Sequence, residues 1–242
     1  MKDENNVTYR KELKYICSEQ ELHLIEGRIK DICRPDVHAG QDGVYGIRSV
    51  YFDDYENTCF YENEDGTDPR EKFRIRIYNG SLKRITLECK RKEKGLNHKF
   101  SCPLTQEWCQ AILEGSFRME QFWQGEKAEA LSREERALLS KFFLQYRTRL
   151  LRPKVIVEYE RTPYIYSMGN VRITFDRNIA GTGRVRDFMK PVVTARPVMP
   201  VGKHILEVKY DQFLPDYLYN ALQIPNLRQT AYSKYYICRK FS

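Results

Sequence analysis

Arg74 and Arg76, separated by one residue, are the pair in this sequence whose types and spacing say most about chemistry. In an extended strand alternate side chains share a face, so the two guanidinium groups stand about 7 Å apart. Each guanidinium presents a planar fork of donors that matches phosphate oxygens, and a lysine adds a mobile point charge. That separation is near the reach of consecutive phosphates in a di- or triphosphate. Arg10, Lys14 and Lys90 complete the densest cluster of candidates, because each sits in a run where charge alternates with apolar residues.

The candidate metal ligand is Glu207. A hard divalent cation at a phosphate site takes one or two carboxylate oxygens and completes its octahedron with phosphate and water. Glu12 and Asp176 are either helpers to Glu207 or ion-pair partners of the basic residues. The histidines (His23, His38, His98, His204) show no ligand spacing, and His204 is expected to face away from Glu207. No Ser-His-Asp set, Walker loop or Gly-rich dinucleotide turn is present. Phosphoryl transfer without those parts rests on positioning and electrostatic stabilisation, with a metal ion bridging phosphates.

These residues must be positioned by strands. Four stretches carry charge at every second position: Arg10-Glu12-Lys14, Arg70-Lys72-Arg74-Arg76, Arg84 with Glu88-Lys90-Lys92, and Glu207-Lys209. Val155 to Arg161 places Tyr159 and Arg161 on one face, and Arg172, Thr174 and Asp176 share another. Strands are expected at 8–15, 45–53, 71–79, 83–92, 97–102, 153–161, 171–177 and 204–210. Helices interrupt them. Ser18 with Glu21 and Ser132 with Glu135 form capping boxes, the first ahead of Leu22, Ile25, Ile29 and Ile32, the second ahead of Leu138, Leu139, Phe142 and Phe143. Thr105 opens another, with Trp108, Ile112 and Leu113 on one side, and two more are expected at 213–222 and 229–240. The loops carry their breakers at 39–43, at Asp65-Gly66, at the hairpin turn Asn79-Gly80 and at 181–183. With no repeat or long linker, residues 1–242 read as a single domain.

Strands with one ionic and one apolar face can be assembled in two ways. The charged faces either line a lumen, with helices packed outside, or they form the solvated face of an open antiparallel sheet. A basic lumen carries self-repulsion and a desolvation cost unless acids, water or a bound anion offset them. Composition agrees with an anionic partner: 41 basic against 33 acidic residues give a net charge of +8. Nucleic acid is the weakest candidate partner, because the basic residues alternate along strands and do not form an exposed run. Seven scattered cysteines without a C-x-x-C pair argue against a disulfide framework and against a structural zinc site. The polar N-terminus and the lack of any long apolar run point to a cytoplasmic, soluble chain, able to dock peripherally on a membrane protein.

The ordered set of motifs resembles the vacuolar transporter chaperone (VTC) domain of the triphosphate tunnel metalloenzyme, or CYTH-like, superfamily. The matching pieces are Arg10-Lys-Glu-Leu-Lys-Tyr15, Arg48-Ser-Val-Tyr-Phe-Asp53, Lys72-Phe-Arg-Ile-Arg-Ile-Tyr78, Leu87-Glu-Cys-Lys-Arg-Lys92, Glu158-Tyr-Glu-Arg-Thr-Pro-Tyr164, Val171-Arg-Ile-Thr-Phe-Asp176, Leu206-Glu-Val-Lys209 and Ser233-Lys-Tyr235. The resemblance implies an α+β fold: an eight-stranded antiparallel β-barrel tunnel with a charged lumen, helices packed on the outside and a C-terminal helix at the tunnel mouth. It implies a polyphosphate polymerase that transfers the γ-phosphate of ATP to a growing inorganic polyphosphate chain, with Mn²⁺ or Mg²⁺ as cofactor. ATP and polyphosphate would be the partners, and the place would be the inner face of a membrane. Lys14, Arg74, Arg76, Lys90, Arg161 and Arg172 would grip phosphates. Lys99, Tyr159 and Lys209 would line the tunnel beside Arg10, Ser233 and Lys234 would reach its mouth, and Glu207 would hold the metal. A tunnel triphosphatase and a non-catalytic polyphosphate-binding subunit are the competing expectations. One departure favours the polymerase: Arg10 stands where the hydrolases' Glu-x-Glu-x-Lys strand begins with an acid, which weakens a second metal position. Another concerns chain handling, because Gln229-Thr-Ala-Tyr232 lacks the lysine expected just before Ser233 in the eukaryotic polymerase.

Overall fold

The computed structural model describes residues 10–37, 39–40, 42–118, 129–224 and 227–242. Residues 8 and 9 of the first expected strand, His38 and Gln41 lie outside the described residues. In chain order the strands are β1 (Lys11–Ser18), β2 (Arg34–Pro35), β3 (Tyr45–Asp53), β4 (Arg70–Tyr78), β5 (Ser81–Glu93), β6 (Leu96–Leu104), β7 (Arg152–Tyr166), β8 (Val171–Thr182), β9 (Arg196–Pro197) and β10 (Lys203–Tyr210). The helices are α1 (Glu19–Ile29), α2 (Thr58–Glu64), α3 (Gln106–Glu114), α4 (Arg133–Thr148), α5 (Asp216–Leu222) and α6 (Lys234–Lys240). Every expected strand is present. No described helix is long and apolar enough to cross a membrane.

Eight strands follow one another around an antiparallel curled sheet in the order β1-β10-β8-β7-β3-β4-β5-β6, and β2 and β9 pair at its margins. The two outer strands, β1 and β6, meet at the bridge Arg10–Asn97, with N–H to oxygen distances of 3.2 and 3.3 Å. Farther along, the free edge of β1 is met by the C-terminal segment: Tyr15 bridges Gln229, and Thr230 N–H donates to the Lys14 carbonyl at 2.8 Å. The result is a half-barrel whose concave face forms a channel.

The alternation decides which face is which. On the convex side, Ile75, Ile77 and Leu87 of β4 and β5 pack with Ile112 of α3 and Leu139 and Phe142 of α4. A second outer core joins Ile173, Leu206 and Val208 of β8 and β10 to Leu22 and Ile25 of α1 and Leu218 of α5. Each such side chain contributes about 1.5–3 kcal/mol when fully buried. Those two layers cover the apolar faces of β4, β5, β8 and β10, so the charged faces of these strands turn inward. A third cluster lies on the concave side, where Val155, Val157 and Ile205 pack with Tyr235 and Cys238 of α6. The C-terminal helix therefore closes one end of the channel.

Both capping boxes form, and Thr105 caps α3 by accepting from Trp108 N–H. Asn79 and Gly80 both take positive φ (51° and 64°) in the turn that joins β4 to β5. Three helix boundaries differ from the sequence reading. α1 stops at Ile29, leaving Ile32 outside it, because the chain must turn to lay Arg34–Pro35 against β7. α5 starts at Asp216, after Pro215, and not at 213. α6 starts at Lys234 and not at 229, because the preceding residues are extended against β1. All seven cysteines are free.

Candidate active site in the channel

The channel holds a cavity of about 820 Å³. Thirteen Lys and Arg side chains line it against two carboxylates, Glu12 and Glu207. All thirteen residues singled out from the sequence reach its wall: Arg10, Lys14, Arg74, Arg76, Lys90, Lys99, Tyr159, Arg161, Arg172, Glu207, Lys209, Ser233 and Lys234. Strands far apart in sequence deliver them to one space.

Buried acids organise these cations. Glu88 on β5 lies opposite Arg74, which donates through Nε at 2.7 Å and approaches it through Nη2 at 2.6 Å. Lys99 reaches the other Glu88 oxygen at 3.2 Å. Burial opposes ionisation of Glu88, yet the charges of Arg74, Arg76 and Lys99 outweigh it and hold its carboxyl far below the usual range. Arg74 also donates to the Tyr51 hydroxyl (3.0 Å), and Arg76 to Ser49 Oγ (3.0 Å) and the Tyr159 hydroxyl (3.3 Å). The two forks are thereby fixed from behind, pre-organised for a ligand.

Across the channel Arg161 forms a bidentate pair with Asp176, at 2.6 and 2.7 Å. Lys234, the first residue of α6, bridges Asp176 Oδ2 (2.6 Å) and Glu207 Oε1 (2.7 Å). Lys209 approaches Glu207 Oε2 at 3.0 Å and Glu12 Oε1 at 3.6 Å, and Lys90 donates to Glu12 Oε2 at 2.6 Å. Burial and two neighbouring lysines, Lys14 and Lys209, outweigh Glu12 and draw the Lys90 ammonium down to about 8. Glu12 and Glu207 stay ionised: burial works against both, and the surrounding cations hold each well below the ordinary carboxylate range.

Other candidates hold peripheral posts. Arg10 turns to the rim, where its Nε donates to Asp211 (2.7 Å) and its Nη2 to the Asn170 carbonyl (2.6 Å). Arg172 is held by Asp36 (2.9 Å) and the Tyr45 hydroxyl (3.0 Å). The Ser233 hydroxyl accepts from Tyr236 N–H and so caps α6. His204 faces the outside and meets Glu19 at 2.8 Å. Sequence reasoning missed Asp36, Ser49 and Tyr51, whose polar groups orient the arginines and which carry no charge alternation to mark them. It also left Arg70, Lys72 and Lys92 out of the site, although all three share the phase of Arg74 and Lys90 and line the cavity.

Glu12 and Glu207 are the carboxylates that face the cavity, and His98 stands in its wall as a single nitrogen donor. Among the described residues no three such side chains converge as a metal cluster. That donor set suits a hard divalent ion held by Glu207 and completed by phosphate and water. It does not suit zinc.

The sequence profile of the VTC domain matches residues 9–242. The chain belongs to the VTC domain family. Its fold is shared with a solved structure that spans nearly the whole chain. A protein from Hippeastrum, described as a putative adenylyl cyclase with a dominant triphosphatase activity, superposes with a TM-score of 0.56 at 11% identity, covering 97% of this chain and 96% of that one. A putative adenylate cyclase from Bacillus halodurans is similar at a TM-score of 0.44 and 14% identity, over 88% of this chain and 87% of its own. The Mimivirus capping enzyme triphosphatase aligns at a TM-score of 0.38 and 9% identity, over 90% and 87% of the two chains. Comparison with curated proteins found no match.

Proposed function

We propose that this VTC domain is a polyphosphate polymerase that works on ATP in its channel. The observation that carries the reading is the convergence of thirteen cationic side chains on one cavity with two carboxylates. Such a space favours a linear polyanion over any neutral ligand. In the reaction the bond between the γ-phosphorus and the β-bridging oxygen of ATP breaks, and a terminal oxygen of the polyphosphate chain bonds to that phosphorus. ADP leaves with the electron pair of the broken bond. Arg74, Arg76, Lys90, Arg161, Arg172 and Lys14 grip the phosphates, and their fixed positions stabilise the charge that spreads over the transferring group. Lys99, Lys209 and Tyr159 steady the chain, Lys234 and Ser233 close the end, and Arg10 guards the rim. Glu207 would hold Mn²⁺ or Mg²⁺, which would supply neutralisation of phosphate charge. The site would act in the cytoplasm, beside a membrane partner that accepts the product.

Hydrolysis of a triphosphate is the second reading, favoured by the triphosphatase activity described for the Hippeastrum protein. Against it, Arg10 occupies the position of an acid and is bound to Asp211, so one carboxylate needed for a second metal is missing. Incubation with ATP and Mn²⁺, followed by gel analysis, tests the choice. Long phosphate polymer supports the polymerase. Orthophosphate as the sole product replaces it with the hydrolase, and polyphosphate binding without ATP turnover makes the chain a binding subunit.

A further inference from the structure

The β4–β5 ladder continues past the site with two rungs that ordinary sheet design avoids. Lys72 stands opposite Lys90, and Arg70 opposite Lys92, all on the channel face. Like charges directly across an antiparallel pair repel. The inner rung differs, because there Arg74 faces Glu88. Lys14, Lys90, Lys99, Lys209 and Lys234 each meet a carboxylate in the channel. Arg70, Lys72 and Lys92 form no ion pair among the described residues.

Neutral groups hold two of these cations in place. Arg70 Nη1 donates to the carbonyls of Glu62 (3.2 Å) and Thr67 (3.1 Å), near the end of α2. The Lys72 ammonium donates to Asn63 Oδ1 and lies 5.1 Å from the centre of the Tyr235 ring. Burial, with Arg70, Lys90 and Lys14 repelling it, brings Lys72 down to about 7. The chain thus fixes positive charge in a half-buried place: Glu62 lies near enough to feel Arg70 and Lys72, yet among the described residues no carboxylate pairs directly with any of the three. From Arg76 to Arg70 the row spans about 20 Å, roughly three times the Arg74–Arg76 spacing.

We propose that Arg70, Lys72 and Lys92 form a further anion subsite at the end of the β4–β5 ladder, which takes the phosphates of a linear chain longer than a triphosphate. This deepens the polyphosphate reading and rests on it. The subsite makes the channel discriminate by chain length: the inner arginines hold the reacting phosphates and the outer rungs hold those that follow. Arg70 offers an oriented fork, while the two lysines adapt to a flexible chain.

The test compares tripolyphosphate with a polyphosphate several times longer, by calorimetric titration of the whole chain with a chelator present and no ATP. The wild type should bind the longer chain more tightly. In Lys72→Ala/Lys92→Ala the longer chain should lose about tenfold more affinity than tripolyphosphate does. Lys92→Gln alone, which leaves half-buried Lys72 in place, should show the same bias in smaller measure and guards against a folding failure of the double variant. Equal losses for both ligands would assign these residues to the triphosphate site and overturn the subsite. A wild type that gains nothing from the longer chain overturns the subsite and leaves the tunnel reading standing. Failure to bind either ligand overturns both. A single-stranded oligonucleotide that competes as well as polyphosphate, and through the same two lysines, overturns the assignment to a phosphoanhydride chain.

Discussion

The two halves of the β4–β5 ladder are built from the same residue types and behave oppositely. On the inner side half-buried Arg74 is paired with Glu88 and Tyr51, and buried Arg76 is held by Ser49 with Glu88 at 3.9 Å, so an acid offsets part of their charge before any ligand arrives. On the outer side Arg70 answers to carbonyls and Lys72 to an amide and a ring, while Lys92 has no ion pair among the described residues. Paired charge gives rigidity and a fixed geometry for chemistry. Unpaired charge stores repulsion that a polyanion relieves, which suits binding. Both regions are basic, and only the position of the acids separates them.

The largest expected effect breaks the inner half. Arg74→Ala or Lys90→Ala should lower turnover by about 10²–10³-fold, the scale of losing one pre-organised electrostatic contact. Circular dichroism should show the fold retained, and near-normal activity would reject either residue as a phosphate ligand. Glu207→Gln should abolish activity and its metal dependence together. A variant that still works with Mn²⁺ would show that the metal is held elsewhere. Glu207→Gln also removes one of the two carboxylates around Lys234, so a lower melting temperature should accompany the loss.

Between these extremes lies the helix that closes the channel. A Cβ at Gly181 would stand 2.6 Å from Cys238 Cβ, so Gly181→Ala must push α6 off β8. Overpacking of this kind costs about 1–3 kcal/mol. Denaturant melts should record it, with faster amide exchange concentrated in α6.

On the outer half the sign reverses. Lys72→Met removes a repelled, half-buried cation, so the melting temperature should rise at neutral pH, by about 2–4 °C for each kcal/mol relieved. Long-chain binding should weaken in the same variant. The smallest effect is on pH dependence. The folded Lys72 titrates near 7, below its unfolded value, so protonation opposes folding and its penalty fades as pH rises above 7. A bound anion favours the protonated form. Binding above pH 7 should therefore take up protons and weaken as pH rises, and Lys72→Met should flatten that trend relative to the wild type. Arg70, Lys90, Lys14, Glu62, Cys59 and Tyr235 surround the ammonium and remain in both proteins, which makes the difference between them the readout.

Much of this was legible because the signals are local. The alternation in Arg70–Tyr78 marks β4 to within a residue, and Ser132 with Glu135 marks the start of α4. α2 was not legible for a physical reason. Its N-cap, Asn57, makes no side-chain cap bond. Its first amides are satisfied instead by Asp54, which accepts from Thr58 N–H, and by Asp53, which accepts from Cys59 and Phe60 N–H. Asp53 is itself anchored by the Tyr235 hydroxyl at 2.6 Å, from the other end of the chain. A cap displaced by several residues leaves no motif. The 229–233 segment was misread for a similar reason, since pairing with β1 overrides its local preference.

By itself, the sequence determined which side chains share a face, because the pleat of a strand turns alternate residues to opposite sides whatever surrounds it. It also determined that the channel's cations outnumber its acids. Which face turns inward was decided by the tertiary structure, through the helices that cover the apolar side and leave the charges the concave one. Tertiary structure also decided which charges are neutralised. Glu88 meets Arg74 through strand register, whereas Glu207 meets Lys234 only because α6 folds back into the channel, and no described acid pairs directly with Lys72.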